Sequence, residues 1–289
     1  EKKVIYFTMQ NENEITLTLS PHNEIIGYSN PEITVIRDDF LSFNKALVSF
    51  NADKLRKIGK HFLSENKNLE SINLPNVEYI GSEFLRYNYN LTSINIPKVE
   101  VIKNSFLENN KALESFSAEN IQEIGNDFLF YNRKIKEINI PNVEFIGDDF
   151  LCKNNELKSF SATKLRGIGN HFLYENDSLQ SIDISNIEFI RDFFLFGNNR
   201  IKNFSAKKLH NIGCHFLYEN NSLRSLDLPQ LDFIGDCCLR YNGTLEYLNI
   251  PKATHIGSGS FSFVKDFDVK EIVKNITSKN SFSDEDEME

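Results

Sequence analysis

The chain repeats itself every 22 residues, and this period constrains its fold more than any other feature. With Ile25 as position 1, the register runs to residue 266 without insertion or deletion. Position 12 is isoleucine in eleven consecutive copies, from Ile36 to Ile256, and position 17 is leucine in every copy but the last. A unit this small cannot bury its own apolar face, so neighbouring copies must share a core. The repeat therefore predicts a solenoid.

The apolar spacing inside each copy predicts the path of one coil. Positions 1, 4 and 6 are apolar, which suits a short strand with one face inward. A turn follows, often at proline, a residue that ends strand pairing. A Phe-Leu pair at positions 16 and 17 then opens the return leg, for which we expect a single helical or 3-10 turn. The predicted fold class is a curved α/β solenoid of eleven coils over residues 25–266, with one parallel sheet on its concave side.

The segments that flank the repeats are expected to cap them. Residues 1–24 hold two β-rich runs around a polar turn, which predicts a capping hairpin. Residues 267–277 break the repeat and are predicted to form a C-terminal cap. Residues 278–289 are rich in aspartate and glutamate and are predicted to be a disordered acidic tail. With a net charge of -9, nothing favours nucleic acid as a partner.

Position 20 is asparagine in ten copies, and the last copy has Val264 in its place. A side-chain amide both donates and accepts hydrogen bonds, so stacked amides can satisfy the turn backbone of neighbouring coils. We therefore predict an inward ladder of amides, which ends where no further coil needs bonding. The ladder residues are Asn44, Asn66, Asn88, Asn110, Asn132, Asn154, Asn176, Asn198, Asn220 and Asn242.

Histidines and cysteines are the residues that could carry chemistry. His171 and His215 share position 15 two coils apart, about 10 Å at strand spacing, too far to share one metal ion. Cys214, Cys237 and Asp236 should lie closer to His215 and leave a metal site or a disulfide as alternatives to core packing. Packing is favoured because no C-x-x-C spacing exists. Four cysteines are also too few for a disulfide scaffold, which favours reduced thiols.

No catalytic motif is present, neither a phosphate loop nor an H-E-x-x-H sequence. We therefore predict no enzyme, with no catalytic residue, no metal and no cofactor. No apolar run approaches the roughly 18–20 residues of a membrane span, so membrane insertion is not expected. The chain is expected to be a monomer that binds a protein partner.

Two outward rows are candidates for that partner, although a solvated face and partial burial are the plainer alternatives. The partner is expected to bind through the concave face, where a basic row at position 2 would engage an acidic patch. An aromatic row at position 11, which would suit a protein surface, is the alternative site. The basic row comprises Lys136, Lys158, Lys202 and Arg224, and the aromatic row comprises Phe145, Phe189 and Phe233. We expect Glu70 and Glu114, at position 2 of earlier coils, to repel an acidic partner and fix its orientation.

Several asparagines start Asn-x-Ser/Thr acceptor motifs, among them Asn90, Asn176, Asn220 and Asn242. Three of these belong to the predicted ladder, where a bulky glycan would break the stack. This argues against passage through a glycosylating pathway.

The segments "LTSINIPKVEVIKNSFLENN" (91–110) and "IKEINIPNVEFIGDDFLCKNN" (135–155) resemble BspA-like, Treponema pallidum-type leucine-rich repeats. The chain departs from that family in having Phe-Leu where Ala-Phe is usual, and Asn where Cys is frequent. Because the family includes microbial surface proteins, the resemblance implies a protein-binding module, as a surface adhesin or a secreted effector. The alternative is the substrate-recognition part of a larger enzyme whose catalytic domain lies outside this chain. A secreted or surface location follows from the resemblance, whereas the thiols and acceptor motifs leave an intracellular one open.

Overall fold

The computed structural model describes residues 16–264, which form a stack of short parallel strands. Each coil contributes a first strand at positions 3–5 and a second strand at positions 11–12. An antiparallel strand, β1 (Thr16–Leu19), pairs with β2 (Ile25–Ser29) at the start of the stack. The predicted C-terminal cap (267–277), the acidic tail (278–289) and most of the N-terminal hairpin (1–24) lie outside the described residues.

The strands follow the repeat without slippage, because every parallel partner lies 22 residues along the chain, as in Ser115 opposite Glu137. After β2 the first strands are β4 (Ser49–Asn51), β6 (Ser71–Asn73), β8 (Ser93–Asn95), β10 (Ser115–Ser117), β12 (Glu137–Asn139), β14 (Ser159–Ser161), β16 (Ser181–Asp183), β18 (Asn203–Ser205), β20 (Ser225–Asp227) and β22 (Tyr247–Asn249). The second strands are β3 (Val35–Ile36), β5 (Lys57–Ile58), β7 (Tyr79–Ile80), β9 (Val101–Ile102), β11 (Glu123–Ile124), β13 (Phe145–Ile146), β15 (Gly167–Ile168), β17 (Phe189–Ile190), β19 (Asn211–Ile212), β21 (Phe233–Ile234) and β23 (His255–Ile256).

A column of phenylalanine rings at position 16 runs through the core. Consecutive rings stack nearly parallel, as Phe128 and Phe150 do with centroids 5.4 Å apart and planes 7° apart. The phenylalanines of the first strands meet this column edge-on, as Phe116 meets Phe128 at 5.4 Å and 77°. Both geometries are the favourable ones for aromatic pairs. Each coil contacts mainly the coils before and after it, and the phenylalanine column is one of the contacts that hold these neighbours together.

The return legs are not helical, and the helical or 3-10 prediction is wrong: within residues 16–264 there is no helix. Alternate residues of each return leg have positive φ instead, for example Asp149 (57°), Leu151 (52°) and Lys153 (60°). Their N–H groups bond to neighbouring coils, since Leu151 N donates to Phe128 O at 3.0 Å and Asp149 N to Asn170 O at 2.9 Å. Hydrogen bonds between coils thus replace those along a helix, so the fold is a β-solenoid rather than an α/β solenoid.

Two further details of the fold prediction need correction. Within the described residues the stack has about 10 turns rather than the eleven coils predicted. The expected single sheet is interrupted, and the first strands bond in the sets β1–β2–β4, β6–β8, β10–β12, β14–β16 and β18–β20–β22. Three of the four interruptions occur where a first strand with isoleucine at its centre precedes one with phenylalanine at its centre. At these places the central residues Ile94, Ile138 and Ile182 are only half-buried.

The asparagine ladder at position 20 is confirmed. Asn154 is completely buried, and its Nδ2 donates to Leu129 O in the preceding coil (3.0 Å) and to Cys152 O in its own coil (3.2 Å). Its backbone N–H donates to Oδ1 of Asn176 in the following coil at 3.1 Å. Asn154 therefore connects three coils and gives two turn carbonyls a donor that they would otherwise lack. The bond from a ladder N–H to the next Oδ1 recurs at Asn110, Asn132 and Asn198. Oδ1 of Asn154, in contrast, has no hydrogen-bond partner among the described residues.

A second ladder, at position 14, was missed from sequence. Asp148 Oδ1 accepts the backbone N–H of Asn170 at 2.6 Å, and Asn126 Oδ1 accepts that of Asp148 at 2.9 Å. A glycine usually precedes this residue and lies against the coil below: a Cβ on Gly169 would be 2.4 Å from Asp148 Oδ1. The recurring Ile-Gly-Asp/Asn sequence was the available signal for this ladder.

Candidate partner-binding surfaces

The aromatic row lies on the second strands, where Phe145, Phe189 and Phe233 open β13, β17 and β21. Their side chains are 45%, 44% and 43% exposed, so they are surface residues on a hydrogen-bonded backbone. Such exposure of large rings at regular intervals is unusual on a monomer surface and is typical of contact sites.

Gly167 joins two of these rings into one surface. This glycine occupies the position between Phe145 and Phe189 and is buried, although its column is otherwise largely exposed. A Cβ there would lie 3.2 Å from Cδ1 of Phe145 and 3.3 Å from Cζ of Phe189, so both rings lean over the glycine. A shallow groove of about 350 Å³ runs beside them, along Gly147 and Gly169. The two rings thus present continuous apolar area rather than two isolated patches.

The far end of the row is also aromatic. Phe233 stacks on the imidazole of His255 with centroids 4.6 Å apart and planes 6° apart. One column earlier, His210 Nδ1 contacts Asp232 Oδ2 at 3.1 Å. Arg166, which precedes Gly167, forms no ion pair within the described residues. The aromatic row is therefore bordered by the paired side chains of His210 and Asp232 and, in that same part of the chain, by the unpaired charge of Arg166.

The basic row lies on the side of the first strands, and two of its four side chains already contact a glutamate. Lys136 Nζ contacts Glu114 at 2.9 Å, and Arg224 contacts Glu246 at 3.8 Å. Its hydrogen bond to Glu114 raises the pKa of Lys136. Lys158 and Lys202 are exposed and, in the part of the chain that the structure describes, have no ion-pair partner.

Glu114 therefore does not stand apart as a repelling charge, contrary to our expectation, because it neutralises the first lysine of the row. Glu70, the other acid expected to repel, is exposed and its backbone carbonyl accepts a hydrogen bond from the Thr92 hydroxyl at 3.0 Å.

The repeated histidines, His171 and His215, do not form one shared metal site. Phe193 lies between them and stacks on His171 (4.8 Å between centroids) and on His215 (4.5 Å). Across residues 16–264 no group of three or more His, Cys, Asp or Glu side chains is placed to hold a metal ion, and the four cysteines are free thiols. Cys238 is buried, and burial raises its pKa to about 12, which keeps the thiol protonated. This geometry favours core packing over a metal site or a disulfide.

An ionic cluster on the first return legs was missed from sequence. His61 lies between two carboxylates, with Nδ1 2.7 Å from Asp39 Oδ1 and Nε2 3.0 Å from Glu83 Oε1. The hydrogen bonds to Asp39 and Glu83 raise the pKa of His61. Position 15 reads Asp, His, Glu in three consecutive copies, which was the available signal. The cluster ties three coils together.

Known proteins share this repeat and this geometry. A family model described as "BspA type Leucine rich repeat region (6 copies)" matches residues 34–158, 145–268 and 193–288. The chain belongs to this BspA-type family. The sequence resemblance is thereby confirmed, and with it an assignment to leucine-rich repeats, which generally act as non-catalytic scaffolds for protein interaction. No curated protein matches the chain.

Solved structures that resemble this chain share little sequence identity with it. A leucine-rich repeat protein from Bacteroides ovatus is 15% identical, with a TM-score of 0.54 over 88% of this chain and 93% of that one. A leucine-rich cell surface protein from Faecalibacterium prausnitzii is 13% identical, with a TM-score of 0.40 over 92% and 100%. The pneumococcal vaccine antigen PcpA is 17% identical, with a TM-score of 0.44 over 91% and 80%. The first of these supports the fold of this BspA-type chain. Among residues 16–264, no helix is long and apolar enough to cross a membrane.

Proposed function

We propose that this BspA-type solenoid is a non-enzymatic protein-binding module, and that the aromatic row on the second strands is its main docking surface. The observation that carries the proposal is the pair Phe145 and Phe189, which close over Gly167 into one exposed apolar patch. Aromatic residues are enriched at protein interfaces because a large rigid ring buries much area at little entropic cost.

The spacing of the row defines what it fits. Phe145 and Phe233 are four coils apart, about 20 Å at strand spacing. A single extended segment or one helical face of a partner spans that length. Anchoring rings on hydrogen-bonded strands need little reordering on binding, which reduces the entropic cost of association.

The basic row gives a second contribution through long-range electrostatics. Lys158 and Lys202 carry charges that no neighbour within the described residues neutralises. Such charges speed the encounter with an acidic partner more than they tighten the final complex. Lys136 and Arg224 belong to the same row but contribute less, because each already contacts a glutamate.

The biological setting in this proposal is a microbial surface adhesin or a secreted effector. It is supported by the resemblance to a family that includes microbial surface proteins.

The test compares partner capture by three variants. Phe145→Ser with Phe189→Ser should weaken capture by about tenfold or more, the cost of losing a central aromatic anchor. Lys158→Glu with Lys202→Glu should slow association at low salt and much less at high salt, because salt screens exposed charges. Phe43→Ser is the matched control, since Phe43 is 57% exposed on a return leg outside both rows.

Unchanged capture by the phenylalanine variant would reject the aromatic row. An equal loss in the Phe43→Ser control would show a general effect of removing surface aromatics.

A further inference from the structure

We infer that folding of this solenoid and Asn-linked glycosylation of its ladder exclude each other, so that within residues 16–264 only two surface asparagines can carry a glycan in the native protein. Five Asn-x-Ser/Thr motifs lie within residues 16–264 and divide into two classes by burial. The ladder class comprises Asn176, Asn220 and Asn242, and the surface class comprises Asn90 and Asn203. Asn275 starts a further motif outside the described residues.

The chemistry of transfer identifies the atom at issue. An oligosaccharyltransferase joins the Asn Nδ2 to C1 of a lipid-linked oligosaccharide. The bond from C1 to the lipid pyrophosphate breaks, the pyrophosphate leaves, and Nδ2 loses one of its two hydrogens as a proton. The product keeps a single N–H on that nitrogen, attached to a bulky sugar.

The ladder uses both hydrogens of this nitrogen. Asn220 Nδ2 donates to Leu195 O at 2.9 Å and to Tyr218 O at 3.1 Å. Asn176 and Asn242 make the same two bonds to their own and preceding coils. All three residues are 0% exposed. Modification would therefore remove a donor from a buried carbonyl and place a sugar where the stacked coils leave no space.

The surface class has neither constraint. Asn90 and Asn203 are exposed, and no hydrogen bond from either side-chain amide occurs among the described residues. Asn203 opens β18 next to Lys202 of the basic row. A glycan there would screen the basic row but leave the aromatic row on the second strands open.

The consequence concerns the route by which the chain reaches its site of action. Transfer acts on an unfolded chain, before the ladder closes. A molecule modified at any ladder asparagine cannot complete the coils on either side of it. Native protein must therefore come from a route without Asn-linked transfer, or from molecules in which these three motifs were left unmodified. This holds whatever partner the protein binds.

The experiment expresses the chain in a glycosylating secretory host and in bacterial cytoplasm. One variant combines Ser178→Ala, Ser222→Ala and Thr244→Val, which removes the three buried acceptor motifs but keeps every ladder amide. The control combines Thr92→Ala with Ser205→Ala, which removes the two surface motifs. The unfolding temperatures of all three proteins from bacterial cytoplasm are measured first, because Thr244→Val removes hydroxyl hydrogen bonds to Asn221 O and Leu223 O, and Thr92→Ala removes one to Glu70 O. Secretory yields are then compared among variants that are folded at the expression temperature.

From the secretory host, the protease-resistant fraction is isolated and its glycopeptides are identified by mass spectrometry. We expect that fraction to lack glycan at Asn176, Asn220 and Asn242, and to increase several-fold in the variant without buried motifs but not in the control. A glycan on any ladder asparagine in protease-resistant protein would overturn the inference. If the total wild-type protein from that host carries glycan at the ladder motifs, an equal resistant yield from wild type and the buried-motif variant would overturn it as well.

Discussion

Hydrogen bonds from single buried asparagine side chains connect neighbouring coils of this protein. A ladder asparagine such as Asn154 is completely buried, yet its carboxamide replaces the water that turn carbonyls would otherwise bind. Other asparagines of the same turns are exposed and make no comparable bonds, as at Asn155. The sequence alone could identify the ladder, because a polar residue that recurs at an inward position of ten coils must find hydrogen-bond partners there. At the residue scale, burial rather than residue type separates structural from dispensable asparagines.

Replacement of a ladder amide should lower stability. We expect Asn132→Ala or Asn154→Ala to reduce the free energy of unfolding by about 1–3 kcal/mol, because two buried carbonyls lose their donor. Urea denaturation followed by circular dichroism measures this loss. Asn155→Ala is the matched control and should leave the midpoint unchanged. Equal midpoints for Asn154→Ala and wild type would show that the ladder does not stabilise the stack.

His61 should make stability depend on pH. Only the doubly protonated imidazolium can donate to both Asp39 and Glu83, so the folded state raises the pKa of His61. A raised folded pKa means that the contribution is fully present below the unfolded value, near 6.5, and is lost as pH rises through the folded value. The thermal midpoint of wild type should therefore exceed that of His61→Gln by more at pH 6 than at pH 9.

His22→Gln is the matched control variant, since the His22 side chain is exposed and forms no ion pair within the described residues. A difference between wild type and His61→Gln that stays constant from pH 6 to pH 9 would contradict the bridging role.

The coil is the element of this fold, and its close stacking depends on glycines as well as amides. At position 13 the backbone of one coil touches that of the next, as a Cβ on Gly169 would be 2.5 Å from Asp148 N. Further along the turn the same residue type has no such role, since a Cβ on Gly243 would meet nothing within 4 Å. Glycine therefore indicates close contact between the backbones of neighbouring coils at position 13 but not at Gly243.

Gly169→Ala should destabilise the protein by about 1–3 kcal/mol, as expected for an inserted methyl group that forces the backbone apart. Gly243→Ala should change stability by no more than about 0.5 kcal/mol. Denaturation midpoints of the two variants measure the contrast. Similar midpoints would mean that position 13 tolerates a wider gap between coils than the structure shows.

Prediction from sequence succeeded for the inward columns and failed for the return leg, for a physical reason. Apolar spacing reports which side chains are buried, and Phe150 and Leu151 are both buried whether the leg is helical or not. It does not report whether N–H groups bond along the chain or to the next coil. The positive φ at Leu151 could not be predicted from its residue type, because this conformation is usually adopted by glycine or asparagine and not by leucine.

The candidate surfaces were predictable as rows but not in their details. Position 11 showed where Phe145 and Phe189 would lie, since columns of a solenoid follow from register alone. Their closure over Gly167 and the pairing of Lys136 with Glu114 depend on side-chain conformations, which a repeat pattern does not specify.

At the scale of the whole molecule, structure and recognition are assigned to different sides of each coil. Isoleucine, leucine, phenylalanine and asparagine recur inside with little change, whereas the outward residues at positions 2 and 11 differ from coil to coil. Stability then spreads over nearest-neighbour contacts along the stack, and surface residues can change without cost to it. This separation is why docking variants at Phe145 or Lys158 should fold normally.

Hydrogen–deuterium exchange on the complex with a captured partner tests the central claim most directly. The account predicts that the partner slows amide exchange around the second strands at residues 144–147, 188–191 and 232–235. The first strands around Lys158 and Lys202 should show a smaller change. Protection confined to the return legs, or absent from these second strands, would contradict docking on the aromatic row.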